Sequence, residues 1–301
     1  MDQTNLQPTM PVATQPAMPT PVLPLQSGSV FSFQGGDMLF EVDSAVAGRI
    51  VTFALGGQNV LTPSTAGQDT YGSTFWTSPQ SVWNWPPPTE INATTFDSMI
   101  EGGFVTLTGP ASPLVGASVS KRFSMDAARQ SVTLEYFIFN QTGAQLQVAP
   151  WEITRVAPFG LTFYGTGPGG ISSNALGGVS EGAGATWFDY AQAPPSVDQK
   201  LFADGMGWLA HVSGNLLFIK QFQDVPAGGA APGEGEIEIF ANGVQTYVEI
   251  EQQGAFVVLD PGQPASWVVT WYLRQLPPGV TATAGSQSLV DFVNQVLSGN
   301  G

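Results

Sequence analysis

Short runs of β-type sequence, separated at close intervals by Gly, Pro and Asn, cover the chain from Ser29 onward. No long helical periodicity intervenes between these runs, so they predict an antiparallel sandwich or barrel rather than βαβ units. The clearest runs are residues 49–55, 104–107, 132–140, 214–222, 236–241, 244–252 and 266–273. The predicted fold class is therefore all-β.

The C-terminal end is the place where apolar residues recur at helical spacing. Ser286 or Ser288 can cap a helix there, because a serine hydroxyl accepts a hydrogen bond from a free backbone N–H group. The apolar positions are Leu289, Phe292, Val293, Val296 and Leu297. We therefore predict a short C-terminal helix.

No repeat or linker follows residue 28, so residues 29–301 are expected to form a single domain.

Residues 1–28 are rich in proline and carry one charged side chain, that of Asp2. Proline fixes φ and removes backbone donors, so this segment is predicted to be a disordered, extended arm or tether. It lacks the basic start and the continuous apolar stretch of a signal peptide. A spacer left after removal of an export signal and a plain disordered terminus both remain open at this point.

The chain is strongly acidic, since 8 Lys and Arg residues stand against 23 Asp and Glu residues, a formal net charge of −15. A surface that binds phosphates needs the opposite balance, so nucleic acid is not expected as a partner. Only 10% of the residues are charged, against about a quarter in most soluble domains. This composition favours an extracytoplasmic location, periplasmic or secreted, over the cytoplasm. No apolar run reaches the roughly 18 residues of a transmembrane helix.

Cysteine is absent, which excludes disulfides, zinc–thiolate sites and thiol nucleophiles. The single histidine, His211, excludes a site that takes two histidines from one chain. It lies where a strand approaches a Ser-Gly-Asn turn, and it is expected either to bond the backbone there or to act as a proton donor. With one histidine and no GxSxG pattern, a serine hydrolase is not expected.

The dipeptide Asn242-Gly243 separates two runs of alternating polarity and is the preferred filling of a two-residue type I′ hairpin turn. In that hairpin Ala241 faces Val244, and one face of the two strands is apolar. The sequence therefore predicts a tight hairpin at this point.

The other face of the predicted hairpin carries a group of carboxylates. The facing pairs are Glu238 with Tyr247, Glu236 with Glu249, and Glu234 with Glu251. Like charges opposite each other destabilise a ladder, so these groups require solvent screening, a bound cation or raised pKa values. A divalent cation such as Ca²⁺ held by Glu234, Glu236 and Glu249 is one expectation, and no other cofactor is required.

Residues 248–273 resemble the closing strands of the galactose mutarotase, or aldose 1-epimerase, family. The matching positions are Glu251, Gln253, Leu259, Pro261, Gly262, Thr270 and Trp271. Residues 47–63 are similar to the opening strands of that family, and residues 71–88 most resemble a bacterial branch of the superfamily without a settled activity. The resemblance covers about residues 30 to 275. It implies a large antiparallel supersandwich whose concave face binds sugar.

The resemblance also implies a reaction that needs a general base and a general acid. Glu251 matches the general base of the family. The catalytic histidine of the family is missing, and Glu152 and Arg155 stand at about its position. Glu152 is therefore the expected acid, with His211 as a displaced alternative, and Glu152, Glu251 and Arg155 are expected to share one pocket. Two carboxyl groups across a cleft would also fit glycoside hydrolysis.

Three of the eight tryptophans, Trp76, Trp83 and Trp85, fall within ten residues. They can pack in the core or form a platform on which a sugar ring stacks. Neighbouring prolines indicate a stiffened loop, and loops commonly carry binding sites. At least two of the three are expected at the rim of the pocket. The further expected substrate contacts are Trp151, Arg155, Tyr247 and Glu249.

Three functions from different classes remain open on the sequence alone. One is a mutarotase-like isomerase with Glu251 as its base. Another is a hydrolase or lyase that acts on polysaccharide. The third is a non-catalytic carbohydrate-binding surface protein, which the N-terminal arm and the missing histidines favour. All three predict a mono- or oligosaccharide as the partner.

Overall fold

The computed structural model describes residues 21–66 and 70–299, and these residues form an almost entirely β structure. The strands in chain order are β1 (Leu25–Ser27), β2 (Val30–Gly35), β3 (Met38–Asp43), β4 (Arg49–Leu55), β5 (Gln58–Asn59), β6 (Ser73–Ser78), β7 (Asp97–Glu101), β8 (Phe104–Thr108), β9 (Ala117–Asp126), β10 (Ser131–Asn140), β11 (Leu146–Val156), β12 (Leu161–Gly165), β13 (Ile171–Asn174), β14 (Val179–Gly182), β15 (Ala185–Asp189), β16 (Gln199–Ala203), β17 (Trp208–Ser213), β18 (Leu216–Phe222), β19 (Ile237–Ala241), β20 (Val248–Gln253), β21 (Val257–Leu259) and β22 (Pro264–Gln275). The α-helices in the same residues are α1 (Thr89–Asn92) and α2 (Gln287–Leu297).

The strands pair into two antiparallel sheets. The first sheet has the order β1-β2-β3-β4-β6-β11-β20-β19-β16-β13, with β5 beside β4 and β21 beside β11. The second sheet has the order β14-β15-β12-β17-β18-β22-β10-β9-β8-β7. The prediction of a large all-β sandwich is confirmed, and each of the seven runs singled out in the sequence contains a strand.

Aromatic side chains hold the two sheets face to face. The Phe53 ring of the first sheet lies 5.4 Å from the Phe218 ring and 5.4 Å from the Trp271 ring, both on the second sheet. The Phe40 and Phe123 rings meet across the same space with centroids 5.7 Å apart. All five residues are buried. Because these strands alternate in and out, their inward positions form one continuous core between the sheets.

Helix α2 covers part of the outward face of the second sheet. Its N-cap is Ser286, whose Oγ accepts a hydrogen bond from the backbone N–H of Leu289 at 3.3 Å. Leu289 and Val293 of the helix are buried in a second apolar cluster that contains Phe163 and Trp187 of the sheet. The predicted C-terminal helix and its serine cap are confirmed.

The N-terminal boundary differs from the prediction. Leu25–Ser27 forms strand β1, which pairs with Val30–Gly35 in the first sheet. The sheet therefore begins before residue 29, because the backbone groups of residues 25–27 find partners at its edge. Residues 1–20 of the predicted arm lie outside the described residues.

No helix in the described part of the chain is long and apolar enough to cross a membrane.

The predicted hairpin register at residues 242–243 is wrong. Ala241 pairs with Val248 rather than with Val244, and Glu238 pairs with Glu251. The Asn242 side chain is the physical reason, since its Oδ1 accepts hydrogen bonds from the backbone N–H groups of Thr246 and Tyr247, at 2.9 and 3.2 Å. These bonds close a six-residue connection in place of a two-residue turn.

Candidate functional site

A cavity of about 470 Å³ opens on the outward face of the first sheet, where β6, β11, β20, β19 and β16 are neighbours. It is lined by aromatic and carboxylate side chains together with one lysine. The lining residues are Thr70, Trp76, Gln80, Trp85, Trp151, Asp198, Lys200, Phe240, Tyr247, Glu249 and Glu251.

The strand register explains why these side chains meet. Residues directly opposite each other on antiparallel strands share a face. Trp76 pairs with Trp151, Glu249 pairs with Phe240, and Phe240 pairs with Lys200. One face of five adjacent strands therefore presents six of the lining side chains to the cavity, and the other five come from the flanking connections.

Tryptophans form one wall of the cavity. The Trp76 ring lies 5.5 Å from the Trp151 ring and 6.0 Å from the Trp85 ring, in edge-to-face arrangements. Trp85 is 65% exposed at the mouth, whereas Trp76 and Trp151 are buried. Trp83 does not line the cavity, because it is buried behind Trp76 and its Nε1 donates to the backbone oxygen of Thr77 at 2.8 Å.

Lys200 lies between two buried carboxylates. Its Nζ is 2.5 Å from Oε2 of Glu238 and 3.2 Å from Oε2 of Glu251. Glu238 and Glu251 face each other across β19 and β20. The ammonium group therefore offsets the repulsion that two facing carboxylates would otherwise produce.

One carboxylate oxygen of Glu251 has hydrogen-bond donors, and the other has none in the described part of the chain. Its Oε2 accepts from Nε1 of Trp151 at 2.9 Å and from Lys200. Its Oε1 is buried and has no hydrogen-bond partner among the described residues. A buried carboxylate oxygen without a donor is costly, so this atom is suited to accept a hydrogen bond from a ligand in the cavity.

A second ion pair borders the cavity. Nε of Arg155 donates to Oε1 of Glu249 at 2.8 Å, and Nη1 of Arg155 donates to Oγ1 of Thr74 at 3.2 Å. The guanidinium also lies 5.5 Å from the centre of the Trp76 ring. These contacts hold the Glu249 carboxylate in place beside Tyr247.

Burial shifts several acid groups at the site toward their neutral forms. Burial raises the pKa of Glu238 to about 8, with Lys200 acting against the shift. Burial also raises the pKa of Glu249, and here Arg155 opposes it. Burial and the neighbouring Glu249 raise the pKa of Tyr247 to about 12.

The raised pKa of Glu238 predicts a pH-dependent stability. The folded state holds the proton of this carboxyl more tightly than the unfolded state, so the contribution is present below about pH 4.5 and is lost as pH rises through about 8. On going from pH 8 to 6.5, wild-type protein should therefore gain about 1–2 kcal/mol of unfolding free energy relative to Glu238→Gln. Denaturant titrations at the two pH values measure this difference.

Two other buried groups change stability with pH in the opposite direction, and their contributions cancel because they are present in both wild type and Glu238→Gln. Burial lowers the pKa of Lys121 to about 7 and that of His211 to about 4, and both stabilise less as pH falls. The exposed Glu101→Gln serves as a control that should follow wild type. Parallel pH profiles for wild type and Glu238→Gln would contradict the prediction.

Glu152 is not in the cavity, which corrects the prediction that it shares a pocket with Glu251. Glu152 pairs with Gln252, one position from Glu251, so the two carboxylates lie on opposite faces of the first sheet. The Glu152 side chain is fully buried between the sheets. The acid–base pair and the glycosidase pair built on Glu152 and Glu251 are therefore wrong.

The Glu152 carboxylate belongs to a closed polar network in the core. Its Oε1 lies 2.9 Å from Nζ of Lys220 and accepts from Gln252 and Trp271, while its Oε2 accepts from the Tyr136 hydroxyl. Lys220 is fully buried as well. Burial lowers the pKa of Lys220, and Glu152 opposes that shift.

His211 also lies away from the cavity, on strand β17 of the second sheet. Its ring is buried, and Nδ1 shares a hydrogen bond of 2.9 Å with Oγ1 of Thr162. Burial lowers its pKa to about 4. The prediction that His211 replaces the missing acid is therefore wrong, because the side chain cannot reach the cavity from the other sheet.

The structure does not bring the three predicted cation ligands together. Glu234 accepts from the backbone N–H of Gln80, at 2.8 Å. Glu236 accepts from the N–H groups of Gly205 and Val225, and Glu249 pairs with Arg155. Among residues 21–66 and 70–299, no group of three or more His, Cys, Asp or Glu side chains is arranged to hold a metal ion.

Sequence reasoning missed Lys200, Phe240 and Asp198 as cavity residues, together with Thr70 and Gln80. Lys200 was detectable, since it is one of only 8 basic residues and follows a proline-containing loop into a short alternating run. Phe240 and Asp198 gave no such signal. The corrected hairpin register is what places Phe240 opposite Glu249.

No family model matches the chain, and no curated protein matches its sequence. Solved structures match its fold. A candidate aldose 1-epimerase from Escherichia coli K12 is 12% identical, with a TM-score of 0.56, over 82% of this chain and 99% of that one. A galactose mutarotase-like protein from Lactobacillus casei ATCC 334 is 8% identical, with a TM-score of 0.57, over 81% and 100%. A candidate aldose 1-epimerase from Klebsiella pneumoniae subsp. pneumoniae MGH 78578 is 11% identical, with a TM-score of 0.53, over 92% and 86%.

These similarities extend over most of both chains in each comparison. At such low sequence identity these similarities establish the fold. The chemistry of the site must be inferred from its own residues. The similarities agree with the two sheets and the C-terminal helix described above, and with the resemblance found in residues 47–63 and 248–273. The chain adopts the galactose mutarotase-like fold.

Proposed function

We propose that the chain binds a saccharide in the cavity on the outward face of the first sheet. The observation that carries this proposal is the buried, unpartnered Oε1 of Glu251 beside a wall of tryptophan rings. Sugars combine apolar ring faces with hydroxyl donors, so both kinds of surface are needed in one site.

The dimensions and composition of the cavity support this proposal. About 470 Å³ lies within the range typical of small-molecule sites. Trp85 supplies an exposed stacking surface, while Glu251 and Asp198 supply acceptors for hydroxyl groups. The structural neighbours, which include galactose mutarotase-like proteins, support the same class of ligand.

A mutarotase-like isomerase is the second candidate, and the open Oε1 of Glu251 favours it because a general base needs a free oxygen. The described lining residues offer Lys200 and Tyr247 as proton donors. Burial lowers the pKa of Lys200, but Glu251 and Glu238 outweigh that effect and the net shift is upward. The pKa of Tyr247 is also raised. Neither group releases a proton readily near neutral pH, so binding is the better supported function.

Trp85→Ala tests the stacking surface. It should weaken saccharide binding by about 1–3 kcal/mol, because it removes an exposed indole face from the mouth of the cavity. Isothermal titration calorimetry with gluco- and galacto-configured mono- and oligosaccharides measures the change. The matched control is Phe159→Ala, an equally exposed aromatic residue outside the cavity. Equal losses in both variants, or none in Trp85→Ala, would contradict the site.

A polarimetric assay of anomer interconversion separates the two candidate functions. Acceleration of mutarotation that is abolished in Glu251→Gln would establish the isomerase. Saccharide binding without acceleration would establish a binding protein. Absence of binding by every sugar tested would overturn the proposed function.

A further inference from the structure

We infer, on the basis of the proposed function, that the site selects sugars bearing a free, protonated amino group over neutral and anionic sugars. The charges that line the cavity, the existing partners of its cations and the open oxygen of Glu251 carry this inference.

The cavity lining is negatively charged. Asp198, Glu249 and Glu251 contribute three carboxylates, and Lys200 contributes one ammonium group. Among the described residues the ion-paired neighbours Glu238 and Arg155 add one charge of each sign, so the balance stays negative. Even with Glu238 protonated, carboxylates outnumber cations around the cavity. A low-dielectric pocket of one charge sign attracts a ligand of the opposite sign.

The cations at the site already have partners. Lys200 contacts the carboxylates of Glu238 and Glu251, and Arg155 bonds Glu249 and Thr74. A phosphate or uronate group would have to displace one of these carboxylates before it gained a cation. Anionic sugars are therefore disfavoured by both net charge and the state of the existing ion pairs.

The open Oε1 of Glu251 provides the attachment point for an amine. Glu251 is 1% exposed, and the atom has no donor among the described residues. A hydroxyl and an ammonium group can both donate to this carboxylate, but only the ammonium brings a positive charge that interacts with the carboxylate and with the other acidic groups of the cavity. The ammonium also relieves the cost of a desolvated carboxylate more completely than a hydroxyl does.

Aromatic faces add to the same preference. Trp85 and Tyr247 line the cavity with no ring contact to Lys200, whose Nζ instead lies 5.0 Å from the centre of the Trp151 ring. Indole and phenol faces attract cations as well as apolar sugar surfaces. A protonated amino sugar satisfies both interactions at once.

The test compares matched sugars by isothermal titration calorimetry at pH 6.5 and constant ionic strength. The probes are glucosamine, N-acetylglucosamine, glucose and glucose 6-phosphate, with the same four in the galacto series. The amine should bind at least about tenfold more tightly than its N-acetyl and neutral counterparts, and the phosphate should bind most weakly. Glu251→Gln should lower the amine-to-neutral affinity ratio severalfold, and Glu101→Gln should leave it unchanged.

The outcomes are distinguishable from those for the proposed function. Neutral sugars that bind as tightly as the amine, or a phosphate that binds more tightly, would overturn this inference and leave saccharide binding intact. Absence of binding by all eight probes would overturn both. If Glu251→Gln fails to fold, Asp198→Asn replaces it, because Asp198 is an exposed lining carboxylate whose loss should also reduce the preference for the amine.

Discussion

Lys220→Met should lower the free energy of unfolding by about 3–5 kcal/mol, because it leaves the Glu152 carboxylate buried without its cation. Both side chains are fully buried between the sheets, 2.9 Å apart. The charge on Glu152 would then be held only by the hydrogen bonds from Tyr136, Gln252 and Trp271. Denaturant titration followed by circular dichroism measures the loss.

Two further variants give this prediction its controls. The double variant Lys220→Met/Glu152→Gln should recover at least half of the loss, because it removes the uncompensated charge while keeping an acceptor for the tryptophan and tyrosine donors. Arg122→Met breaks the partly exposed pair with Glu135, 3.7 Å apart, and should cost less than about 1 kcal/mol. If Lys220→Met lowered the free energy of unfolding as little as Arg122→Met does, the core pair would not be ionised as described.

Phe53→Ala should lower the free energy of unfolding by about 3–5 kcal/mol, because it opens a cavity between the sheets. The Phe53 ring is fully buried and contacts Phe40, Phe218 and Trp271 from both sheets. Surrounding rings fixed on two sheets cannot collapse freely into the space that the substitution leaves. Thermal and denaturant unfolding curves measure the effect.

The matched control for this second prediction is Phe159→Ala, which removes the same atoms from a side chain that is 71% exposed. Its expected cost is below about 1 kcal/mol, since little apolar area returns to water. Similar costs for Phe53→Ala and Phe159→Ala would contradict the central position of Phe53 in the core.

The fold was predictable because most of its strands, and its C-terminal helix, can be recognised from local sequence patterns alone. The run at Arg49–Leu55 coincides with a strand from end to end, and Ser286 caps the helix that its sequence position predicts. The register at Asn242 was not predictable from the dipeptide, because one side chain with two backbone partners determined the connection. The shift is by four in the sum of paired residue numbers, an even number, so Glu238, Glu249 and Glu251 still share a face, whereas Glu234 and Glu236 lie before the paired strand.

The candidate site was only partly predictable, and strand β11 shows why. Residues 148–156 of this strand are all buried, so alternation of polarity gives no indication of which residues face the core. Trp151 and Arg155 face the cavity side, whereas Glu152 faces the opposite sheet. Strand alternation separates Glu152 from Trp151 and Arg155. Which of the two faces borders the cavity depends on the pairing with β20, a long-range property absent from the local sequence.

The exposure of Trp85 has a spectroscopic consequence. All eight tryptophans lie in the described residues, and the other seven are buried. A collisional quencher dissolved in the solvent reaches an indole only where the ring is accessible, so the quenchable part of the intrinsic emission comes from the mouth of the cavity. The chain thus carries its own fluorescent reporter at the point where a ligand would enter, and no external label is needed to follow occupancy.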